Sequence, residues 1–153
     1  IEHKRKATLI GIITASACKS EQRQLLNGAI SQAQKLGADT AIFSNIYNSS
    51  EYYADINEEN KIYDLISSFK LDGLILTAES ILNESLQQTI YNKIIKRGDI
   101  PVVVTGAMLS DFPCINNDVE TDLEIITDHL VELHKFTEID LLAGILKSHS
   151  QAT

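Results

Sequence analysis

The segment that most constrains the fold is 7–37, which predicts a buried strand, a short polar loop and an amphipathic helix. Its first part, ATLIGIIT, is almost entirely apolar or β-branched, as is typical of a parallel strand covered on both faces. In its last part, EQRQLLNGAISQAQKLG, apolar residues recur at helical spacing, and Gly37 supplies a residue that commonly ends helices. Strand, loop and helix in this order predict the first half of a βαβ unit.

The same alternation continues along the chain. Further strands are predicted at 40–44, 74–77 and 101–105, with a short one at 114–116 and a last one at 139–144. The helices between them have apolar faces formed by Ile62, Leu65, Ile66 and Phe69, by Leu82, Leu86, Ile90 and Ile94, and by Val119, Leu123, Ile126, Leu130 and Leu133. This alternation predicts an α/β fold with a doubly wound parallel sheet and right-handed crossovers.

Composition excludes several classes of protein. The chain has 153 residues, of which 44% are hydrophobic and 22% charged, so we expect an ordinary globular core. No apolar run approaches the roughly 20 residues of a membrane-spanning helix, and we expect no membrane partner. The net charge of -8 argues against a nucleic-acid surface. Two cysteines are too few for a disulfide framework, which fits a cytoplasmic location.

The common cofactor motifs are missing from the first loop. A dinucleotide or phosphate loop needs glycines after the first strand, and residues 14–20 contain none. A Mg²⁺-dependent receiver needs an acidic pair there, whereas the chain has Thr14, Ala15 and Ser16. We therefore expect no cofactor.

Three weaker patterns leave other chemistry open. Residues 16–19 match the S-x-x-K nucleophile pattern, although we interpret them as a loop whose hydroxyls cap the next helix. Cys18 and Cys114 could face each other as an acid and a base, although free cysteines are more often small buried residues. His129 and His134, with Glu132 between them, suggest a metal, but a spacing of five puts the two histidines on different sides of an α-helix. We therefore interpret this segment as a solvated acidic helix surface and expect no metal site.

Polar side chains follow several of the predicted strands. In a doubly wound sheet they would converge on one edge and suit a small polar ligand such as a sugar or nucleoside. No residue stands out as an activated nucleophile or base, so we expect binding rather than catalysis. The candidate residues are Ser16, Cys18, Ser20, Asn45, Tyr47, Thr77, Glu79, Thr105, Asn117 and Asp118.

Four stretches together resemble the ligand-binding domain of the lac-repressor/galactose-repressor family. RKATLIGII at 5–13 resembles its first strand, DGLIL at 72–76 its "vDGiI" strand, and IPVV at 100–103 its "iPvV" strand. The closing stretch, from Asp118 through HLVE at 129–132 to IDLLAG at 139–144, is similar to its "D…HL…G…I..L.G" signature. Each stretch is short, and their order and spacing carry the resemblance.

The resemblance implies a two-lobed, periplasmic-binding-protein-like type I domain that closes on a small-molecule effector and serves a cytoplasmic transcription factor. It implies a homodimer, with DNA bound only through an N-terminal domain outside this sequence. The ligand loops would be 14–20, 45–47, 77–79 and 105–107, which adds Gly106 to the candidates. ENKIYDLI at 59–66 resembles relatives attached to diguanylate-cyclase or histidine-kinase modules. A lobe of a secreted sugar-binding protein remains a further alternative, and so does an enzyme on the same α/β layer with Cys18 as its nucleophile.

The resemblance also predicts a domain map. Residues 1–6 would be a basic linker, 7–116 the N-terminal lobe, 117–144 the first helix and strand of a second lobe, and 145–153 a truncated crossover segment. Thr121 and Asp122 stand where the family usually has glycine, and Lys135 replaces the glycine of its "HG". Because one helix and one strand cannot bury their apolar faces alone, we expect 119–144 to pack on the first lobe or on another copy.

Overall fold

The structure is a computed structural model, and it describes residues 8–46, 48, 56–107 and 111–140. It divides into two compact units, the first ending at Ile115 and the second beginning at Asn116. The predicted linker 1–6 and the predicted crossover segment 145–153 lie outside the described residues, as do residues 141–144 of the predicted last strand.

The first unit alternates strands and helices along the chain. Its elements are β1 (Thr8–Ala15), α1 (Ser20–Lys35), β2 (Ala38–Asn45), α2 (Ile56–Asn60), a 3₁₀ helix (Lys61–Ser67), β3 (Gly73–Thr77), a 3₁₀ turn (Ala78–Ser80), α3 (Glu84–Arg97), β4 (Val102–Thr105) and β5 (Cys114–Ile115). These bounds agree with the predicted strands to within two residues.

The five strands form one sheet in the order β2-β1-β3-β4-β5, and every neighbouring pair is parallel. The predicted α/β fold with a doubly wound parallel sheet is therefore confirmed. The first strand of the chain lies inside the sheet, where Ile10 pairs with Thr40 of β2 and Gly73 of β3. Since the chain runs outward from β1 to β2 and then crosses back to β3, the winding direction reverses between β1 and β3.

Both faces of the sheet are covered. Ile12 and Ile13 are neighbours on β1 and point to opposite faces, yet each is 0% exposed. Helix α1 contributes the buried residues Leu26 and Ala33. The main core consists of Ile13, Ala15, Phe43, Tyr63, Ile66, Leu71, Leu74, Leu76, Ala78, Ile81, Ile90, Ile94, Val102 and Val104.

The helix predicted after β2 differs from expectation in its geometry. Only α2 is α-helical, and the chain continues as the 3₁₀ helix, which buries Tyr63 and Ile66. A spacing of three matches the three residues per turn of a 3₁₀ helix. Leu65 and Phe69, predicted on the apolar face, are 38% and 42% exposed, although the Phe69 ring meets Phe43 edge to face at 5.5 Å.

Helix α3 begins and ends with capping residues. The Asn83 side chain accepts a hydrogen bond from the Leu86 N–H at 2.8 Å. At the other end Gly98 has φ 61 and donates its N–H to the Ile94 carbonyl oxygen, a left-handed conformation that commonly ends helices. Leu82, predicted on the apolar face of this helix, precedes it and is exposed.

The second unit contains α4 (Val119–Asp128), which continues without a break into a π-helical turn (His129–Leu133). The predicted helix at 119–134 is thus confirmed in extent, but its last turn is wider than that of an α-helix. Of the predicted strand 139–144, Ile139 and Asp140 are described, and neither belongs to a strand. Both units include exposed apolar side chains; those on α4 are Val119, Leu123, Ile125 and Ile126.

Candidate functional site

The carboxyl ends of β1, β3 and β4 lie side by side because these strands are neighbours in the sheet. We call this region, residues 14–20, 77–80 and 105–107, the carboxyl edge. In open α/β sheets, ligands bind outside the strand carboxyl ends at the point where the winding direction reverses. Here that point falls between β1 and β3, at the centre of the carboxyl edge.

Ser80 organises the buried layer beneath this edge. Its Oγ donates to the Thr77 carbonyl oxygen at 2.7 Å and accepts from the Ala15 N–H at 2.9 Å. The Thr77 hydroxyl lies 2.9 Å from the same Oγ and bonds the Ile13 carbonyl oxygen at 3.2 Å. Hydrogen bonds therefore connect the ends of β1 and β3 at the switch point, the place where the winding direction of the sheet reverses.

Tyr63 joins the ends of β1 and β2 in the same way. Its Oη donates to the Thr14 carbonyl oxygen at 2.7 Å and accepts from the Asn45 N–H at 3.2 Å. Burial raises the pKa of the Tyr63 hydroxyl to about 12, so it stays protonated and able to donate. The Asn45 side-chain amide donates to Asn60 Oδ1 at 3.0 Å. Throughout the described residues, every buried side-chain nitrogen and oxygen has a hydrogen-bond partner.

Ser16 has an uncommon backbone conformation at the end of β1. Its φ is 51, in the left-handed region that costs free energy for a residue other than glycine. Its N–H donates to the Asn45 carbonyl oxygen at 3.1 Å and to Asn45 Oδ1 at 3.4 Å, and its hydroxyl donates to the Ile46 carbonyl oxygen at 3.4 Å. At 3% exposure, Ser16 does not present its hydroxyl as the S-x-x-K pattern requires.

Glu79 is the acidic residue of the carboxyl edge. The Thr105 hydroxyl donates to its two carboxylate oxygens at 3.4 and 3.3 Å. Its side chain packs against Gly106, where an added Cβ would lie 2.0 Å from Glu79 Oε2. Burial raises the pKa of Glu79, while hydrogen bonds from its own backbone and from Thr105 oppose that shift. Solvent still reaches the side chain, so Glu79 is a positioned and accessible hydrogen-bond acceptor.

The start of α1 forms the remaining part of the edge. Cys18, Lys19 and Ser20 are all exposed. Lys19 precedes the helix, and no side chain caps it, so the prediction that loop hydroxyls cap this helix is wrong. The N–H groups of an uncapped first turn remain available to water or to polar ligand atoms.

The two cysteines do not face each other across one site. Cys18 follows β1 and Cys114 lies in β5, with β3 and β4 between these strands. Three strand spacings amount to about 14 Å. The sheet order therefore removes the basis for an acid and base pair made of these thiols.

Some predicted site residues lie elsewhere or have structural roles. Tyr47 lies outside the described residues. Asn117 and Asp118 belong to the second unit, where Asp118 caps α4 by accepting from the Thr121 N–H at 3.2 Å and the Thr121 hydroxyl at 2.8 Å. These two bonds lower the pKa of Asp118. Asn45 and Thr77 reach the expected edge, but their side chains lie in the buried hydrogen-bonded layer.

Sequence reasoning missed residues that shape this edge. Gln22 bonds the buried Thr14 hydroxyl at 2.9 Å and so connects β1 to α1, while Tyr63 and Ser80 form the buried layer. A signal existed for Ser80, a hydroxyl residue three positions beyond a buried strand. No comparable local signal identified Tyr63, because its partners lie 18 and 49 positions away.

Within the described ranges, no three or more His, Cys, Asp or Glu residues are grouped so that they could hold a metal ion. Nor does this part of the chain contain a helix of the length and apolar character needed to cross a membrane.

Solved structures of the Lac repressor are similar to this chain. The Lac repressor dimer bound to operator and the anti-inducer ONPF aligns with a TM-score of 0.63 and 17% identity, over 85% of this chain and 42% of that chain. The chain shares its fold with the Lac repressor. The Lac repressor bound to ONPG in the repressed state gives a TM-score of 0.61 and 17% identity, over 85% and 37% of the two chains.

The low sequence identity and the partial coverage limit what this structural similarity shows. At 17% identity it establishes the fold alone, and it agrees with the predicted periplasmic-binding-protein-like class. The chain spans less than half the length of each Lac repressor chain. No protein-family model matches the sequence, and no curated protein matches it.

Proposed function

We propose that this chain is a small-molecule-sensing domain of a bacterial transcriptional regulator of the lac-repressor/galactose-repressor type. The observation that carries the proposal is the combination of the Lac repressor fold with accessible polar groups at the β1/β3 switch point. Glu79, Thr105 and Ser20 supply those groups, above a buried layer whose hydrogen bonds are complete. Accessible polar atoms above a fully hydrogen-bonded layer suit recognition of a polar ligand.

The effector is proposed to be a sugar or a nucleoside-like compound. The Glu79 carboxylate can accept hydrogen bonds from two ligand hydroxyls, since it has acceptor capacity beyond its bonds from Thr105. The Ser20 hydroxyl can donate and accept. Neutral, hydroxyl-rich ligands fit this set better than anions, because Glu79 would repel a negative charge at the centre of the edge.

Sensing is proposed to work through a shift between two conformations. A ligand bound at this edge would favour whichever conformation binds it more tightly, by its differential affinity for the two states. DNA binding would belong to a part of the protein outside this sequence, and the domain would act as a cytoplasmic homodimer. In this scheme residues 7–116 are the N-terminal lobe, residues 117–144 begin the second, and the chain has no catalytic role.

The proposal is tested by thermal unfolding of the full chain with a panel of sugars, nucleosides and amino acids. A compound at a hundred times its dissociation constant should stabilise the fold by about 2.7 kcal/mol. Glu79→Gln and Ser20→Ala should each reduce the shift produced by that compound. The matched control is Asp39→Asn, which changes an exposed carboxylate at the opposite, amino end of β2.

Two results would contradict the proposal. One is that no compound in the panel stabilises the chain. The other is that a stabilising compound acts equally on wild type and on Glu79→Gln, which would locate its site elsewhere. Rapid alkylation of the exposed Cys18 at neutral pH would favour a cysteine-dependent enzyme instead.

A further inference from the structure

Two histidines come together at the π-helical turn of the second unit. The His134 N–H donates to the His129 carbonyl oxygen at 3.4 Å, the five-residue hydrogen bond that defines this turn. In an α-helix, residues five apart point in different directions. The wider turn instead places the second residue over the first. The prediction that His129 and His134 lie on different sides of the helix is therefore wrong.

The two imidazole rings face each other through the same atom type. His129 Nε2 and His134 Nε2 are 3.1 Å apart, and the ring centroids are 4.8 Å apart at an interplanar angle of 68°. The His134 ring also stacks on Phe136 with a centroid distance of 5.7 Å and an angle of 17°. Phe136 in turn donates its N–H to the Leu130 carbonyl oxygen at 3.2 Å. These contacts orient the second ring toward the first.

We propose that His129 and His134 form a chelating site for a divalent first-row transition metal such as Zn²⁺. Imidazole nitrogens bind Zn²⁺ at about 2.0–2.1 Å, so two nitrogens 3.1 Å apart would subtend an angle of about 100° at the ion. That angle lies between octahedral and tetrahedral geometry. Both side chains are exposed, so water can complete the coordination shell.

The charge of this part of the chain favours a cation. Residues 118–140 contain eight carboxylates and a single basic residue, Lys135. Such an imbalance produces a negative potential that concentrates divalent cations near the surface. Imidazole ligands then select Zn²⁺, Cu²⁺ or Ni²⁺ over Mg²⁺, which prefers oxygen ligands. This site is independent of the ligand site proposed at the carboxyl edge.

A competition titration with Zn²⁺ and a chromophoric chelator on the full chain tests the proposal. We expect one ion bound per chain and no displacement by Mg²⁺. Losing a group that only orients a metal ligand costs about 10–100-fold in affinity, so His129→Ala and His134→Ala should each lower Zn²⁺ affinity at least about tenfold. The matched controls are His3→Ala and His149→Ala, which remove the other two histidines and should leave the affinity unchanged.

The outcomes separate a metal site from a simple hydrogen bond between the rings. No Zn²⁺ binding, or equal binding by His129→Ala and wild type, would mean that the rings share a proton only and would overturn the proposal. Circular dichroism of each variant verifies that its helix content is retained, so a loss of binding reports on the ligands.

A register change tests the geometry itself. Leu133→His combined with His134→Leu moves the second histidine to the four-residue spacing that suits an α-helix. If the segment keeps its π-helical turn, the double variant should bind Zn²⁺ more weakly than wild type. Equal or tighter binding would overturn the five-residue chelate.

Discussion

Position 106 at the carboxyl edge favours glycine for two reasons, a left-handed backbone conformation and the close approach of the Glu79 side chain. Its φ of 73 lies in the left-handed region, and a Cβ there would lie 2.0 Å from Glu79 Oε2 and 2.6 Å from Glu79 Cβ. The second distance matters more, because Cβ cannot move away as the end of a flexible side chain can. Any side chain at position 106 would thus displace the carboxylate that we propose as the main ligand contact.

Three glycine substitutions separate these requirements. Gly28→Ala, in helix α1 with open space around it, should stabilise the chain by about 0.5–1 kcal/mol. Gly37→Ala, at φ 72 in open space, should destabilise it by about 1–2 kcal/mol through backbone strain. Gly106→Ala should cost more than Gly37→Ala because it must also move Glu79. Urea denaturation measures all three, and equal costs at 37 and 106 would contradict the Glu79 contact.

Glu79 also predicts a pH dependence of stability. Burial raises its folded-state pKa above the usual 4.5, so protonation favours the folded state relative to the unfolded one. This contribution is fully present below the unfolded pKa and is lost as pH rises through the folded pKa. Glu79→Gln should therefore stabilise the chain near about pH 7, with an advantage that shrinks toward about pH 4. A difference from wild type that is constant with pH would refute this explanation.

At the residue scale, the sequence predicted where polar residues lie in the sheet better than it predicted whether they are exposed or buried. A polar residue after a buried strand must lie at the strand's carboxyl end, so Ser16, Glu79 and Thr105 could be assigned to one edge. Whether such a residue faces solvent or completes the buried layer depends on partners far along the chain. Thr77 is buried because Ser80 and the Ile13 carbonyl oxygen bond its hydroxyl.

At the scale of secondary-structure elements, Tyr63 connects three pieces of the first unit. The 3₁₀ helix that carries it packs against β2, and its hydroxyl bonds the backbone of both β1 and β2. Because these bonds fall at the carboxyl ends of the strands, Tyr63 helps to fix the spacing of the proposed ligand loops.

Tyr63→Phe should lower the free energy of unfolding by about 1–3 kcal/mol, because it removes a hydroxyl bonded to two buried backbone groups. Tyr91→Phe is a matched control, since its hydroxyl bonds Asp111 at an exposed position. We expect a change within about 0.5 kcal/mol for that variant. Chemical denaturation measures both, and similar costs for the two would show that the buried bonds contribute little.

Helix type was less predictable than helix location. Apolar spacing placed helices correctly but assumed 3.6 residues per turn throughout. That assumption correctly buried Ile66 but missed Tyr63 and placed the half-exposed Leu65 on the buried face. It also gave the wrong relation between His129 and His134. Whether a turn is 3₁₀, α or π depends on packing and on the hydrogen bonds of the surrounding chain. A 3₁₀ or π segment of five to seven residues is too short to show its own spacing of apolar residues in the sequence.

At the scale of the whole molecule, the sheet could be predicted because its strands are continuous apolar runs. Four such runs separated by helices leave few arrangements that keep the crossovers right-handed. The position of the reversal between β1 and β3 required the structure, since alternation alone does not give strand order. The first compact unit ends at Ile115 and the second begins at Asn116. No change in composition marks this boundary, and only the family resemblance suggested one nearby.

The central position of β1 has a consequence for biosynthesis. The ribosome releases β1 before either of its neighbours, because Ile10 finds its two partners only 30 and 63 residues later, at Thr40 and Gly73. Until then the run LIGIIT has two open edges and no charge, properties that promote intermolecular β-pairing. Nascent chains that stall before β3 are therefore expected to depend on chaperones, whereas chains that have completed β3 have sealed both edges of β1.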